Sequence, residues 1–160
     1  ALDWLRSQHV RVINLSLGLR EDNAALREAC DHALRAGIIL CASAPARGPQ
    51  VYPAAYPGVL RATGDARCRP GEISCLGTEQ ADFGACVRTG SSTIAGASIG
   101  CAGVTRAVVD CLATRGDMDQ LELLAHLRRS ARYQGPERRR DQAVTQKPRS
   151  ERSNDDTPGR

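Results

Sequence analysis

The sequence predicts a three-layer α/β domain, with a mostly parallel sheet packed between helices. Three observations predict it. Short apolar runs, too brief for helices, alternate with stretches of helical periodicity. The apolar content is 41%, carried by Ala, Val, Leu and Ile, while aromatics are only 3%. Such small side chains suit close helix-on-sheet packing. Glycine and proline punctuate the joins between the two kinds of segment. At 160 residues the chain is long enough for one modest domain with its own core.

The elements follow in order. "ALDWLRSQHV" (1–10) sets Leu2 and Leu5 on one side, with Trp4 beside them, as in the last turns of an amphipathic helix. The chain starts at Ala1, directly in helix-like sequence, so an N-terminal portion of the domain is expected to be missing. "VRVINLSLG" reads as a buried strand closed by Gly18. Residues 22–36 repeat apolar positions at Ala25, Leu26, Ala29, Cys30, Ala33 and Leu34, a helical spacing. Asp22 or Asn23 can cap that helix, and Gly37 can end it. "GIILCASA" is a buried parallel strand by length and composition. "PARGPQVYPAAYPG" is a loop with four prolines.

"VLRATG" is a third strand, and "GEISCLG" to "ADFGACV" supplies one or two more. Residues 92–113 read as a long helix that carries Gly96, Gly100 and Gly103. Each helical glycine costs about 1 kcal/mol, so another part of the chain is expected to approach that helix closely. Residues 119–131 form a final amphipathic helix with Asp119 as its cap. Residues 1–133 thus form the domain. Residues 134–160 have almost no apolar side chains and read as a disordered basic tail.

Charge and cysteine usage exclude several functions. The net charge is +4, and the tail's seven Lys/Arg and five Asp/Glu leave +2 for the body. Nucleic-acid binding wants a denser basic patch, so no nucleic-acid partner is expected. No run of 18 apolar residues exists, so no membrane span is expected either. The seven cysteines form no C-x-x-C pair and stand apart from His9, His32 and His126, against a metal site. Their odd number points to a reducing, cytoplasmic setting, the alternative being a secreted chain with a disulfide among Cys68, Cys75 and Cys86. "GSSTIAG" lacks both the G-x-G-x-x-G spacing and a following phosphate-binding lysine, so no cofactor is expected. The oligomeric state stays open.

"GSSTIAGASIG" (90–100) carries the chemistry, through one of two serines. Ser92 at the start of a helix would sit among unsatisfied N–H groups at the positive dipole end, where an oxyanion is stabilised. An N-cap role for Ser91 or Ser92 fits the same position. Ser98 completes G-x-S-x-G, the nucleophile elbow of α/β-hydrolases, with Asp117 or Asp119 and then His126 in that fold's order. The elbow needs a strand directly before it, and "GSSTIA" is not one.

Four segments in order resemble the C-terminal half of the subtilase (subtilisin-like) serine protease domain: "VINLSLG" (12–18), "GIILCASAPARG" (37–48), "VYPAAYPGVLRATGDA" (51–66) and "GSSTIAGASIG". The resemblance covers roughly residues 1–131 and implies a three-layer subtilisin-like α/β fold. It implies a serine endopeptidase acting on a peptide or protein substrate, with Ser92 as nucleophile of an Asp/His/Ser triad. The Asp and His are expected on the missing N-terminal part, so these 160 residues alone are expected to be inactive. It places Ser16, Leu17 and Gly18 along one wall of the pocket ahead of the cut bond. Ala42, Ser43 and Ala44 form the other wall, and Val51 replaces a floor glycine. A shallower pocket for small side chains follows. The family's oxyanion-hole asparagine falls at Ala46, preceded by Pro45 in place of glycine. Losing such a donor costs about 10²–10³ in turnover. The alternative is therefore a catalytically impaired subtilase-fold module that holds extended peptides without cutting them.

Overall fold

The computed structural model describes residues 1–88 and 95–137. In chain order the elements are α1 (Leu2–Ser7), β1 (Val12–Leu15), α2 (Ala24–Arg35), β2 (Ile39–Ser43), β3 (Leu60–Gly64), β4 (Ile73–Cys75), β5 (Phe83–Ala85), α3 (Ala97–Arg115), α4 (Gln120–Ser130) and β6 (Tyr133–Gln134). The strands make one sheet ordered β1-β2-β3-β5-β4-β6. β1, β2, β3 and β5 are parallel, β4 runs against β5, and β6 follows β4 in parallel. With helices on both faces, this is the three-layer α/β domain that the sequence predicts.

β2 explains the layering. All five of its residues are buried. Leu40 and Ala42 pack with Ile13, Leu15, Cys30 and Ala33 beneath α1 and α2. Ile39 and Cys41 face the other way, towards Val104 and Val108 of α3. A strand covered on both faces has no polar side to show, hence the continuous apolar run. α2 starts where Asn23 accepts a hydrogen bond from the Leu26 N–H at 2.9 Å. α4 starts in a full capping box between Asp119 and Glu122.

α3 is where sequence and structure part. It begins at Ala97, five residues after Ser92. Ala95 instead forms an antiparallel bridge with Arg88, and Gly96 adopts φ 152°, a conformation that side chains other than glycine rarely take. Ala95 and Gly96, directly ahead of Ala97, are therefore not helical. The close approach expected of the glycines is real: a Cβ on Gly100 would lie 2.1 Å from the Thr63 carbonyl oxygen. α3 is also long and apolar enough by composition to cross a bilayer, at mean hydropathy 1.2. Its Val104, Val108, Cys111 and Leu112 are buried in the core shared with the sheet and α4.

The ordered body also runs past the boundary expected at residue 133. β6 pairs with β4 through Gln134, and the Gly135 N–H donates to the Cys75 carbonyl at 2.8 Å. Arg67 holds this segment by donating to the Gly135 carbonyl at 2.8 Å and stacking over the Tyr133 ring. Residues 138–160 of the expected tail lie outside the described residues.

Candidate functional site

The four parallel strands all end at one edge of the sheet, where open α/β sheets place their ligand crevices. Leu15 pairs with Ala42, so the residues after β1 and β2 leave the sheet together. Asn14 donates to the Ser16 hydroxyl at 2.8 Å. Leu19 and Tyr52 exchange backbone bonds at 2.8 and 2.9 Å, which brings Val51 against Gly18. The Ala44 N–H donates to the Ala62 carbonyl at 2.8 Å, carrying the edge across to β3. Beyond β5, the Val87 carbonyl accepts from the Gly96 N–H at 3.2 Å, just inside the Arg88–Ala95 bridge. Arg88 and Ala95, which flank residues 89–94, therefore sit at this same edge. Ser92, the sequence's candidate nucleophile, lies among them, outside the described residues.

The other sequence-derived positions are resolved. Ser16, Leu17 and Gly18 are exposed, whereas Ala42, Ser43 and Ala44 are buried. The Val51 Cγ2 sits 3.1 Å from where a Gly18 Cβ would be. The space lined by Ala44, Pro45 and Val51 amounts to about 10 Å³. Ala46 is exposed and presents a methyl group, which cannot donate a hydrogen bond.

His9 and His32 do not reach this edge. His9 precedes β1 and His32 lies in the last turn of α2, which leads back to the start of β2, so both belong to the opposite edge. His126 is on α4, where burial and then Arg115 and Arg129 hold its pKa below the ordinary value. The elbow reading of Ser98 fails on geometry. Ser98 is the second residue of α3, with no strand running into it. Asp117 pairs with Arg11, and Asp119 caps α4, both past the far end of that helix. At 1.5 Å per residue they stand roughly 25 Å away.

The core thiols are poor nucleophiles as well. Burial pushes Cys41 up to about 11 and Cys101 up to about 12. A thiol that stays protonated at neutral pH is inert. All seven cysteines are free, including Cys68, Cys75 and Cys86.

Sequence reasoning missed a cavity of about 330 Å³ that Ala46 and Val87 share with Thr63, Leu76 and Thr78. Thr63 is buried, and its hydroxyl has no hydrogen-bond partner among the described residues. The only available signal was a hydroxyl near the end of β3, a strand that also carries Arg61.

No protein-family model matches the chain, and no curated protein does. A solved structure titled "S41 Psychrophilic Protease" does match it, at a TM-score of 0.53 and 18% sequence identity. The match covers 81% of this chain and 52% of that one. The chain has the fold of a known protease. It spans about half the length of that structure, and at this identity the likeness is one of fold.

Proposed function

We propose that these residues are the nucleophile-bearing part of a subtilisin-like serine endopeptidase. One observation carries the reading: the four segments that resemble the family converge on a single edge of the sheet. Gly18 meets Val51, Ala44 meets Ala62, and Gly64 and Gly96 close round Val87. Ser92 is the nucleophile in this reading. α3 begins at Ala97 near the same edge, and the amide N–H groups of a helix start suit a developing negative charge. An extended substrate would lie along the exposed backbone of Ser16–Gly18 as an added strand. With Val51 closing the space beside Gly18, the side chain ahead of the cut bond must be small. The base and its orienting carboxylate come from outside these 160 residues, because a serine hydroxyl without a base is a weak nucleophile.

The test is labelling of the complete polypeptide with a fluorophosphonate. Ser92→Ala should abolish labelling and Ser98→Ala should retain it. Loss confined to the Ser98 variant would overturn the assignment.

The methyl of Ala46 favours a second reading, a module that binds extended peptides without cutting them. In that case the complete polypeptide retains peptide affinity and takes up no label.

A further inference from the structure

Asn14 stands on β1 between Ile13 and Leu15, which are buried beneath α1 and α2. Asn14 itself is exposed, so water alone could serve its carboxamide. Three side chains engage it instead. Its Nδ2 donates to the Ser16 hydroxyl at 2.8 Å, while its Oδ1 accepts from the Thr105 hydroxyl at 2.9 Å and the Cys101 thiol at 3.2 Å. Cys101 and Thr105 are four positions apart and so share one face of α3. A carboxamide suits this place because it carries a donor and an acceptor on one planar fork.

The bridge matters because of what it joins. The β1–β2 ladder ends at Leu15 and Ala42, and backbone bonds resume at Leu19 and Tyr52. Ser16–Gly18 lies between those two anchors. The first ties it to β2 and the second to the loop before β3; Asn14 ties it to α3, the helix that follows Ser92 in the chain. We infer that Asn14 is a positioning residue, which sets the substrate strand Ser16–Gly18 against α3 and thereby aligns a bound peptide with the nucleophile. The inference rests on the endopeptidase reading above. Alignment is costly to lose, since a displacement of about 1 Å remote from the reacting atoms can cost about 10²-fold in rate.

The experiment compares two rates in the complete polypeptide. Fluorophosphonate labelling needs the nucleophile and its base, whereas cleavage of a fluorogenic octapeptide also needs the substrate strand. Asn14→Ala should lower kcat/KM for the octapeptide about tenfold further than it lowers the labelling rate, the scale of one neutral hydrogen bond. A loss of folded protein would lower both rates by one factor and leave their ratio unchanged. Thr105→Val should lower the ratio in the same direction, and Thr105→Ser, which keeps the hydroxyl, should restore it. Asn14→Ala combined with Thr105→Val should be no worse than Asn14→Ala alone, because both remove one link. An unchanged ratio in Asn14→Ala overturns the inference, as does an unchanged ratio in Thr105→Val where the alanine variant does not fold. Additive losses in the double variant also overturn it. In each of these cases a wild type that labels and cleaves leaves the endopeptidase reading standing. A wild type that does neither defeats that reading and the inference together.

Discussion

Replacing Gly100 by alanine sets two known effects against each other. Helix propensity alone favours the change, because Ala is better than Gly in a helix by about 1 kcal/mol. Packing opposes it. The new Cβ would meet the Thr63 carbonyl oxygen at 2.1 Å, its carbon at 2.4 Å and the Gly64 nitrogen at 2.5 Å. All three are backbone atoms of β3, so no side-chain rotation relieves the contact. Reaching even a 3.0 Å contact requires α3 and β3 to part by roughly 0.9 Å, through a core that is close-packed. Overpacking of this kind costs about 1–3 kcal/mol, and a backbone clash belongs at the top of that range. The net result is a loss of about 2 kcal/mol. Gly103→Ala is the milder comparison: its Cβ would meet the Ala85 methyl at 2.8 Å, short of a 3.0 Å contact by far less than at Gly100, so a smaller loss is expected. Urea unfolding followed by circular dichroism reads both. A Gly100→Ala midpoint at or above wild type would falsify the close-approach argument. The functional consequence runs the same way, because α3 and Gly64 together locate the ends of the segment that holds Ser92. Fluorophosphonate labelling of the complete polypeptide should slow in Gly100→Ala and persist in Gly103→Ala.

Two further outcomes are expected. Burial by itself would raise the pKa of Asp65, but the hydrogen bonds and charge of Arg67 outweigh it and hold the carboxyl below its ordinary value. Its stabilising contribution is therefore present above the ordinary Asp range and fades as pH falls through the depressed value. Arg67→Met strands a buried carboxylate, with an expected loss of about 3 kcal/mol at pH 7 that shrinks towards pH 3 as the group protonates. Urea midpoints at both pH values check this, and an unchanged gap at pH 3 would refute it. Ala46→Asn in the complete polypeptide should raise kcat by about 10²–10³ with KM little altered, as expected for a donor that acts in the transition state. Steady-state peptide hydrolysis measures it, and an unchanged kcat would show that Ala46 is not at the oxyanion position.

How much could be read in advance depended on how local the signal was. α2 and α4 were legible from caps and spacing, since Asn23 and Asp119 act within a single turn. β2 was legible because burial on both faces demands an unbroken apolar run. The start of α3 was not, because the bridge of Ala95 to Arg88 is a tertiary pairing that keeps Ala95 out of the helix expected from residue 92. β6 was missed because its two residues are held by Arg67, some 66 positions earlier in the chain, and by β4. For the candidate site, the sequence named segments whose described residues lie along one edge, while the Thr63 cavity is assembled from segments far apart in the chain. Its buried strand residue, Thr63, looks in sequence like any other strand threonine.

The Arg88–Ala95 bridge has one more implication. Position and register of α3 are fixed by Gly96 and Gly100 against β3 and Val87, and the last turn before the bridge is fixed by β5. Arg88 and Ala95 are thus paired with each other as well as tied to the sheet. A change at Gly64, Gly96 or Gly100 therefore displaces both flanks of the Ser92 segment together, so the packing beneath this edge and the chemistry above it share the same few small residues.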